Sequence, residues 1–182
     1  KGFRIAAILP GAEAFGGESS PLAAPHRGVK VGDTIVSVDG RNAAGLGELG
    51  ELLVGRAGRN VALGIEGADG KVRVVQVTAM GDDTPNRYAQ WVEANRRVVS
   101  ERSQGRLGYM HLPDMDSAGL TAFVREFYPQ VSKDGLVVDE RWNGGGYVSQ
   151  MVLERLRRRA IAGGTQREGE PSTYPARVPT GP

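Results

Sequence analysis

The sequence predicts an α+β first half followed by an α/β second half. Up to about residue 80, short runs of alternating apolar residues are separated by turn residues, the pattern of strands joined by tight turns. From residue 84 to 162, apolar runs alternate with segments of helical periodicity, as expected where helices pack on buried strands. The last twenty residues contain four prolines and four glycines, which predicts an extended tail that buries little. We therefore predict domains over 1–82 and 83–162, and a tail over 163–182.

The first domain is predicted to contain two early strands and one short helix. Phe3–Leu9 is an apolar strand that stops at Pro10, and Asp33–Val38 is a second strand that ends at the Asp-Gly turn of residues 39–40. Leu46–Val54 has the leucine spacing of a short helix, which its glycines weaken by roughly 1 kcal/mol each.

A hairpin is predicted to follow this helix. One strand is marked by the alternation of Val61, Leu63 and Ile65, and the other by Val75 and Val77. The Ala-Asp-Gly sequence at 68–70 is the turn between them.

The second domain is predicted to alternate helices and strands. Thr84 is the N-cap of a first helix with Pro85 at its first position. Strands are predicted at Leu107–Leu112 and, fully apolar, at Leu136–Asp139. Each of three predicted helices has residues that fall on one face. They are Tyr88, Trp91, Val92, Asn95 and Val99 in the first helix, Leu120, Phe123, Val124 and Phe127 in the second, and Val148, Met151, Val152 and Leu156 in the third.

Composition and charge exclude several classes of function. The chain has 23 basic and 21 acidic residues and no basic stripe, which argues against a nucleic-acid partner. It has no cysteine, so disulfides and thiolate metal sites are excluded. No apolar run approaches the roughly 20 residues that span a bilayer. The first residue is Lys1 rather than Met, so we expect a fragment.

Three consecutive glycines, Gly144 to Gly146, stand where the last predicted strand passes into the last helix. Glycine permits close approach and positive φ, so backbone N–H groups can face a ligand there. A site of this kind binds an anion, or an oxygen that becomes anionic during a reaction. The alternative is a tight turn without a ligand. A phosphate-binding loop is excluded because no Gly-Lys-Ser/Thr follows.

The residues around these glycines resemble a known family. The stretches "GRLGYMHLPDM" (105–115), "FVREFYPQ" (123–130) and "DGLVVDERWNGGGYVSQMVLERL" (134–156) resemble the core of the tricorn-type serine proteases, relatives of the tail-specific or C-terminal processing peptidases. "RYAQWVEANRRVV" (87–99) is similar to the helix that joins their two modules. The resemblance implies that the second domain is the start of an α/β crotonase-like catalytic core.

The first half resembles the PDZ module of the same proteases, through "SPLAAPHRGVKVGDTIVSVDGRNA" (20–43). The resemblance implies an α+β PDZ-like fold in which a peptide adds as a strand between Phe3–Leu9 and the short helix. The loop that usually holds the peptide's carboxylate is lacking, so the alternative is a spacer that binds nothing tightly. The implied peptide-binding residues are Phe3, Ile5, Ala7, Leu49, Leu52 and Leu53.

The resemblance also implies catalytic parts that these residues do not contain. In the family a serine nucleophile follows the proline-rich stretch, and a histidine base precedes the PDZ module. His26 belongs to a loop, His111 is expected to be packed in a strand, and Ser149 to be a local helix hydroxyl. We therefore expect this chain alone to be inactive, with an amide of Gly144 or Gly145 as its oxyanion-hole donor. Trp142 is bulkier than the small residue expected before "NGGG".

The favoured hypothesis is a fragment of a serine endopeptidase that acts through an acyl-enzyme on peptides or unfolded proteins. The resemblance implies a cytoplasmic homo-oligomer that needs no metal or cofactor, and the charge balance and short apolar runs predict no nucleic-acid or membrane partner. Two alternatives stay open. One is a PDZ-containing scaffold that has lost catalysis. The other is a crotonase-shaped enzyme acting on an acyl thioester, which shares the glycine turn but would carry no PDZ module.

Overall fold

Two units, residues 1–90 and 91–182, divide the chain. The structure, a computed structural model, describes residues 2–13, 17–43 and 49–179. Among these residues no helix is both long and apolar enough to cross a membrane.

The first unit is built on a five-stranded antiparallel sheet and one short α-helix. The elements are β1 Phe3–Arg4, β2 Thr34–Val38, β3 Arg41–Asn42, α1 Gly50–Leu53, β4 Asn60–Glu66 and β5 Val72–Thr78. The strands lie in the order β1-β2-β4-β5, and β3 pairs with the end of β2. The predicted strand at 33–38 and the predicted hairpin are confirmed as β2 and as β4–β5. Alternate residues of these strands, among them Val61 and Ile65, form the core.

The first predicted strand is wrong in length. Only Phe3 and Arg4 form a ladder with β2, and Ile5 adds a bond from its N–H to the Asp33 carbonyl at 2.8 Å. Beyond Ile5 the chain loses its partner, because the neighbouring chain turns at Gly32, where φ is +98°. The short helix is confirmed only as Gly50–Leu53, and the predicted residues 46–48 lie outside the described residues.

The second unit contains a two-stranded parallel sheet connected through a helix. β6 Leu107–His111 pairs with β7 Gly135–Asp139 in a register that places Tyr109 beside Val137. Between them runs α3 Ser117–Phe127, and α4 Ser149–Leu156 follows β7. The helix α2, Thr84–Arg102, begins in the first unit and ends in the second. This order confirms the predicted alternation of helices and strands.

Burial in the second unit corrects the predicted helical faces at two positions. Phe123 and Phe127 stack at 4.8 Å between ring centroids and, with Val152, join the core. Val124 and Met151 are instead 49% and 53% exposed. Each lies next in sequence to a buried residue, and a helix places adjacent residues about 100° apart.

The tail forms a small hairpin followed by a packed end. β8 Ala162–Gly164 pairs with β9 Ser172–Tyr174, and every residue of both strands is exposed. Val178 is nevertheless buried, and the Arg177 guanidinium lies 5.7 Å from the Tyr128 ring centroid. The expectation that the tail buries little therefore holds for the hairpin and is wrong at Val178.

Candidate functional site

An apolar cavity of about 480 Å³ opens in the first unit, beside the chain that follows β1. Three of the six predicted peptide-binding residues, Ala7, Leu49 and Leu53, line it. Further apolar residues that were not predicted to bind a peptide also line it, among them Ile8, Leu9, Leu22, Val77 and Met80. Because the strand stops at Arg4, strand alternation does not predict which of residues 6–9 face the cavity.

The other three predicted residues are placed in or against the core. Ile5 and Leu52 are only 7% and 6% exposed, and Phe3 packs against the same cluster. Asp82 and Asp83 also line the cavity, and the Asp83 carboxylate is paired with Arg87 at 2.7 Å. The Asp82 carboxylate therefore gives the lining a negative charge that repels a negatively charged end of a peptide.

The glycine turn connects β7 to α4 in the second unit, and all three glycines are exposed. Gly145 and Gly146 have φ values of +81° and +143°, which other residues rarely adopt. A Cβ on Gly146 would lie 2.1 Å from the Met115 carbonyl oxygen, so the close approach itself requires glycine. Met115 makes two backbone hydrogen bonds to the turn. Its N–H donates to the Gly145 carbonyl, and its carbonyl accepts from the Val148 N–H, each at 2.8 Å.

Two of the three glycine amides are used within this turn. The N–H of Gly144 donates to the Pro113 carbonyl at 3.1 Å, and that of Gly145 donates to Asn143 Oδ1 at 2.7 Å. The N–H of Gly146 has no acceptor among the residues that the structure describes. Helix α4 begins only at Ser149, so its dipole lies beyond the glycines rather than directly behind them.

Asn143 holds the turn to the end of the neighbouring strand. Its Nδ2 donates to the Leu112 carbonyl at 3.0 Å while its Oδ1 accepts from Gly145. Leu112 is completely buried, so water does not compete for that carbonyl. The Asn143 side chain thus ties the glycines to the end of β6, in addition to the backbone bonds of Pro113 and Met115.

A charged network lies at the start of the same turn. Arg141 donates through Nε and a terminal nitrogen to both carboxylate oxygens of Asp139, and the Tyr109 hydroxyl donates to Asp139 Oδ2 at 2.7 Å. The hydrogen bonds from Arg141 hold the pKa of Asp139 well below its usual range, against the opposing effect of burial. Burial, and then the bond to Asp139, raise the pKa of Tyr109. Asp139 is therefore a charged, fully partnered anchor rather than a proton-transfer group at neutral pH.

Trp91, on α2, packs against the residues that begin the turn. Its ring lies 4.6 Å from the Arg141 guanidinium and 4.7 Å from the Trp142 ring centroid. Trp142 has a φ of +60° and is 72% exposed. Position 142, where a small residue was expected, therefore carries a large exposed aromatic side chain shortly before the glycines.

Among the polar residues that were considered as catalytic candidates, His111 is packed in a strand as predicted, whereas His26 lies in a short helix instead of the predicted loop. His111 is 2% exposed, and its ring meets Trp91 edge-on at 5.2 Å. Burial lowers the pKa of His111, while nearby Asp139 opposes that shift. Ser149 is the first residue of α4, and His26 lies in a 3-10 helix of the first unit. Over the described ranges no group of three His, Asp or Glu residues is arranged to hold a metal ion.

Comparison with known proteins gives matches to both units. Residues 1–82 match the tricorn protease PDZ domain, and residues 106–175 match peptidase family S41. Tricorn protease homolog 1 of Streptomyces coelicolor is 41% identical over 181 residues, which is 99% of this chain and 17% of that protein. The tricorn protease of Thermoplasma volcanium is 38% identical over 178 residues, or 98% of this chain and 17% of its own.

A solved structure agrees with these sequence matches. A crystal structure of the tricorn protease superposes with a TM-score of 0.83 at 37% identity, covering 98% of this chain and 17% of that one. A chloroplastic C-terminal processing peptidase of Tetradesmus obliquus is 31% identical over 72% of this chain and 32% of its own length. The chain spans about a sixth of the length of the tricorn relatives.

Proposed function

Since the chain belongs to the tricorn protease family, we propose that it is the part of a serine endopeptidase that positions a peptide and supplies one oxyanion donor. The observation that carries the proposal is the exposed glycine turn at the carboxyl end of β7, held by Asn143 and Met115. The carboxyl ends of parallel strands are where α/β sheets place their ligands.

In the proposed reaction a serine oxygen attacks the peptide carbonyl carbon, and the carbonyl oxygen takes up the negative charge. Collapse of this intermediate expels the amine and leaves an acyl-enzyme, which water then hydrolyses. The serine and its base are assigned to other parts of the parent protein. This assignment is supported by the tricorn relatives, which are about six times longer than this chain. This chain contributes the donor that stabilises the oxyanion, an interaction worth roughly a hundredfold to a thousandfold in kcat.

The glycine amides differ in how readily they could serve as that donor. Gly144 donates to a backbone carbonyl, so releasing it requires the backbone to move. Gly145 donates to the Asn143 side chain, and rotation of that side chain releases it. Gly146, which the sequence analysis did not select, already has an N–H without an acceptor among the described residues. We assign the oxyanion contact to this turn. Of the two predicted donors, Gly145 is favoured over Gly144. Gly146 is an additional candidate.

The catalytic proposal is tested by comparing the parent protein with the 182-residue chain. The parent is expected to hydrolyse a fluorogenic peptide and to be labelled by a fluorophosphonate, whereas the isolated chain does neither. Ser149→Ala in the parent serves as the control and leaves turnover unchanged. Turnover by the isolated chain that disappears with Ser149→Ala would contradict the assignment of the nucleophile, and a parent that resists the fluorophosphonate would contradict the serine mechanism.

The cavity of the first unit is proposed to bind an apolar stretch of the substrate. Its lining by Ala7, Leu49 and Leu53 supports an apolar ligand, and the Asp82 carboxylate disfavours a C-terminal carboxylate. Peptides with an amidated C-terminus are therefore expected to bind more tightly than the same peptides with a free carboxylate.

A charge substitution tests this groove. Leu53→Glu is expected to abolish peptide-induced NMR shifts in the first unit. Val54→Glu is the matched control, because Val54 is adjacent to Leu53 in sequence but is 79% exposed and does not line the cavity. Peptide-induced shifts confined to residues 84–182 would show that the groove assignment is wrong.

A PDZ-containing scaffold without catalysis is the second candidate function. It is favoured by the use of both Gly144 and Gly145 amides within the turn. The peptidase assay on the parent protein decides between the two functions.

The remaining proposals concern the parent protein. We propose that it is a cytoplasmic homo-oligomer whose second domain completes a crotonase-like core. Among the described residues, β7 pairs with β6 on one side only. Its other edge is therefore open, which supports the addition of a further strand. An unpaired edge of this kind is a template for strand pairing.

A further inference from the structure

Trp142 occupies a backbone position that suits glycine. Residues 140–143 form a turn closed by the bond from the Asn143 N–H to the Glu140 carbonyl at 3.0 Å, and Trp142 is its third residue, with φ of +60°. Turns with positive φ at this position favour Gly or Asn. A bulky side chain in the left-handed region is a strained outlier, and such residues concentrate at functional sites.

The packing of Trp142 uses only part of its side chain. One contact, with the Trp91 ring at 4.7 Å, orients the indole, and the Arg141 guanidinium lies against the same Trp91 ring. The indole remains 72% exposed. Arg141, the residue before Trp142, is paired with Asp139, so its charge is neutralised. The result is an oriented, largely apolar surface that the fold itself does not cover.

This surface lies close to any group bound by the glycine turn. Trp142 precedes Gly144 by two residues and Gly145 by three, and a chain spans at most about 3.5 Å per residue. The α-carbons are thus within about 7 to 11 Å of each other. An extended peptide rises about 3.3 Å per residue, so a peptide whose carbonyl oxygen meets these amides carries its neighbouring side chains within reach of the indole.

We infer that Trp142 is a specificity-determining residue whose exposed indole packs against an apolar side chain of the substrate next to the scissile bond. The inference rests on the proposed peptidase function. Aromatic surfaces supply large contact areas with few rotatable bonds, so an oriented indole discriminates apolar from small or charged side chains.

The test measures kcat/KM of the full-length protein on paired fluorogenic peptides. The peptides differ only next to the scissile bond, where one carries Leu or Phe and the other Gly or Glu. Trp142→Ala and Trp142→Gly are expected to lower kcat/KM for the apolar peptides about tenfold or more, within the range that apolar pocket contacts provide. The Gly and Glu peptides should change by less than about threefold, mainly through KM. Trp142→Phe should retain most of the preference.

Tyr174→Ala is the matched control, because Tyr174 is an aromatic residue of the same unit that is 67% exposed on the tail hairpin. It should leave all peptides unchanged. Equal losses on every peptide, or no change in preference, would overturn the inference while the peptidase function stands. If the parent hydrolyses no peptide, calorimetric titration decides: Trp142-dependent binding of apolar peptides supports the role of Trp142, and its absence overturns both proposals.

Discussion

Replacement of Asn143 by alanine tests how the glycine turn is held. Asn143→Ala removes the bond from Nδ2 to the Leu112 carbonyl and the bond that Oδ1 accepts from Gly145. The first loss leaves a carbonyl without a donor at a fully buried residue, which costs about 1 to 3 kcal/mol. The second exposes an N–H that water can bind, so it adds at most about 1 kcal/mol. We expect the second unit to lose about 1 to 4 kcal/mol of unfolding free energy.

Aspartate at the same position separates the two bonds. Asn143→Asp keeps an acceptor for the Gly145 N–H but places a carboxylate oxygen against the Leu112 carbonyl. At neutral pH its cost should therefore equal or exceed that of alanine. Protonation restores a donor, which raises the pKa of the introduced carboxyl. Part of its stability should therefore return as the pH falls below that raised pKa.

Tryptophan fluorescence in urea measures these losses, because both tryptophans, Trp91 and Trp142, belong to the second unit. Amide hydrogen exchange reports the turn directly, and Gly145 should exchange faster in the alanine variant. Asn60→Ala is the control, since it removes one exposed bond from Thr78 at 3.0 Å in the first unit. A loss below about 0.5 kcal/mol with unchanged Gly145 exchange would refute the reasoning.

Three further predictions concern the second unit. Arg141 lowers the pKa of Asp139, so the Asp139 carboxylate stabilises the fold above its unfolded pKa of about 3.9 and loses this contribution as the pH falls. The melting temperature should therefore fall less between pH 7 and pH 2 in Asp139→Asn than in the unaltered protein. Parallel profiles of melting temperature against pH would contradict this. Phe127→Ala, at 1% exposure, should cost about 3 to 5 kcal/mol in urea unfolding, against less than about 1 for the half-exposed Val124→Ala. Gly146→Ala should shift the NMR signals of Met115 and destabilise the unit, since the added Cβ would meet its carbonyl oxygen; unchanged signals would show that the close approach is not tight.

The contacts around the turn give separate roles to the residues of "DERWNGGG". Asp139 and Arg141 form the charged anchor, and Asn143 ties the turn to Leu112. Gly146 permits the approach of the Met115 carbonyl. The motif therefore holds backbone amides in place, and we infer that the exposed Trp142 side chain contacts the substrate.

The sequence by itself determined the elements whose apolar residues repeat at a local period. β4 and β5 were predicted by alternation around a turn, and α3 was predicted by helical spacing and confirmed as Ser117–Phe127. These patterns involve residues only a few positions apart, so each segment contains its own signal. The glycine turn was predicted for the same reason, since three adjacent glycines after an apolar strand are visible without any partner.

Tertiary structure alone decided features that depend on partners far away in the chain. The strand at Phe3 ends early because its neighbour turns away at Gly32, and the Ile5 side chain is buried in the core rather than lining the cavity. The amide of Gly144 is occupied by a carbonyl thirty-one residues earlier, that of Pro113. No local pattern contains such a pairing, because hydrogen-bond partners and cavity walls are defined only when distant segments are packed together.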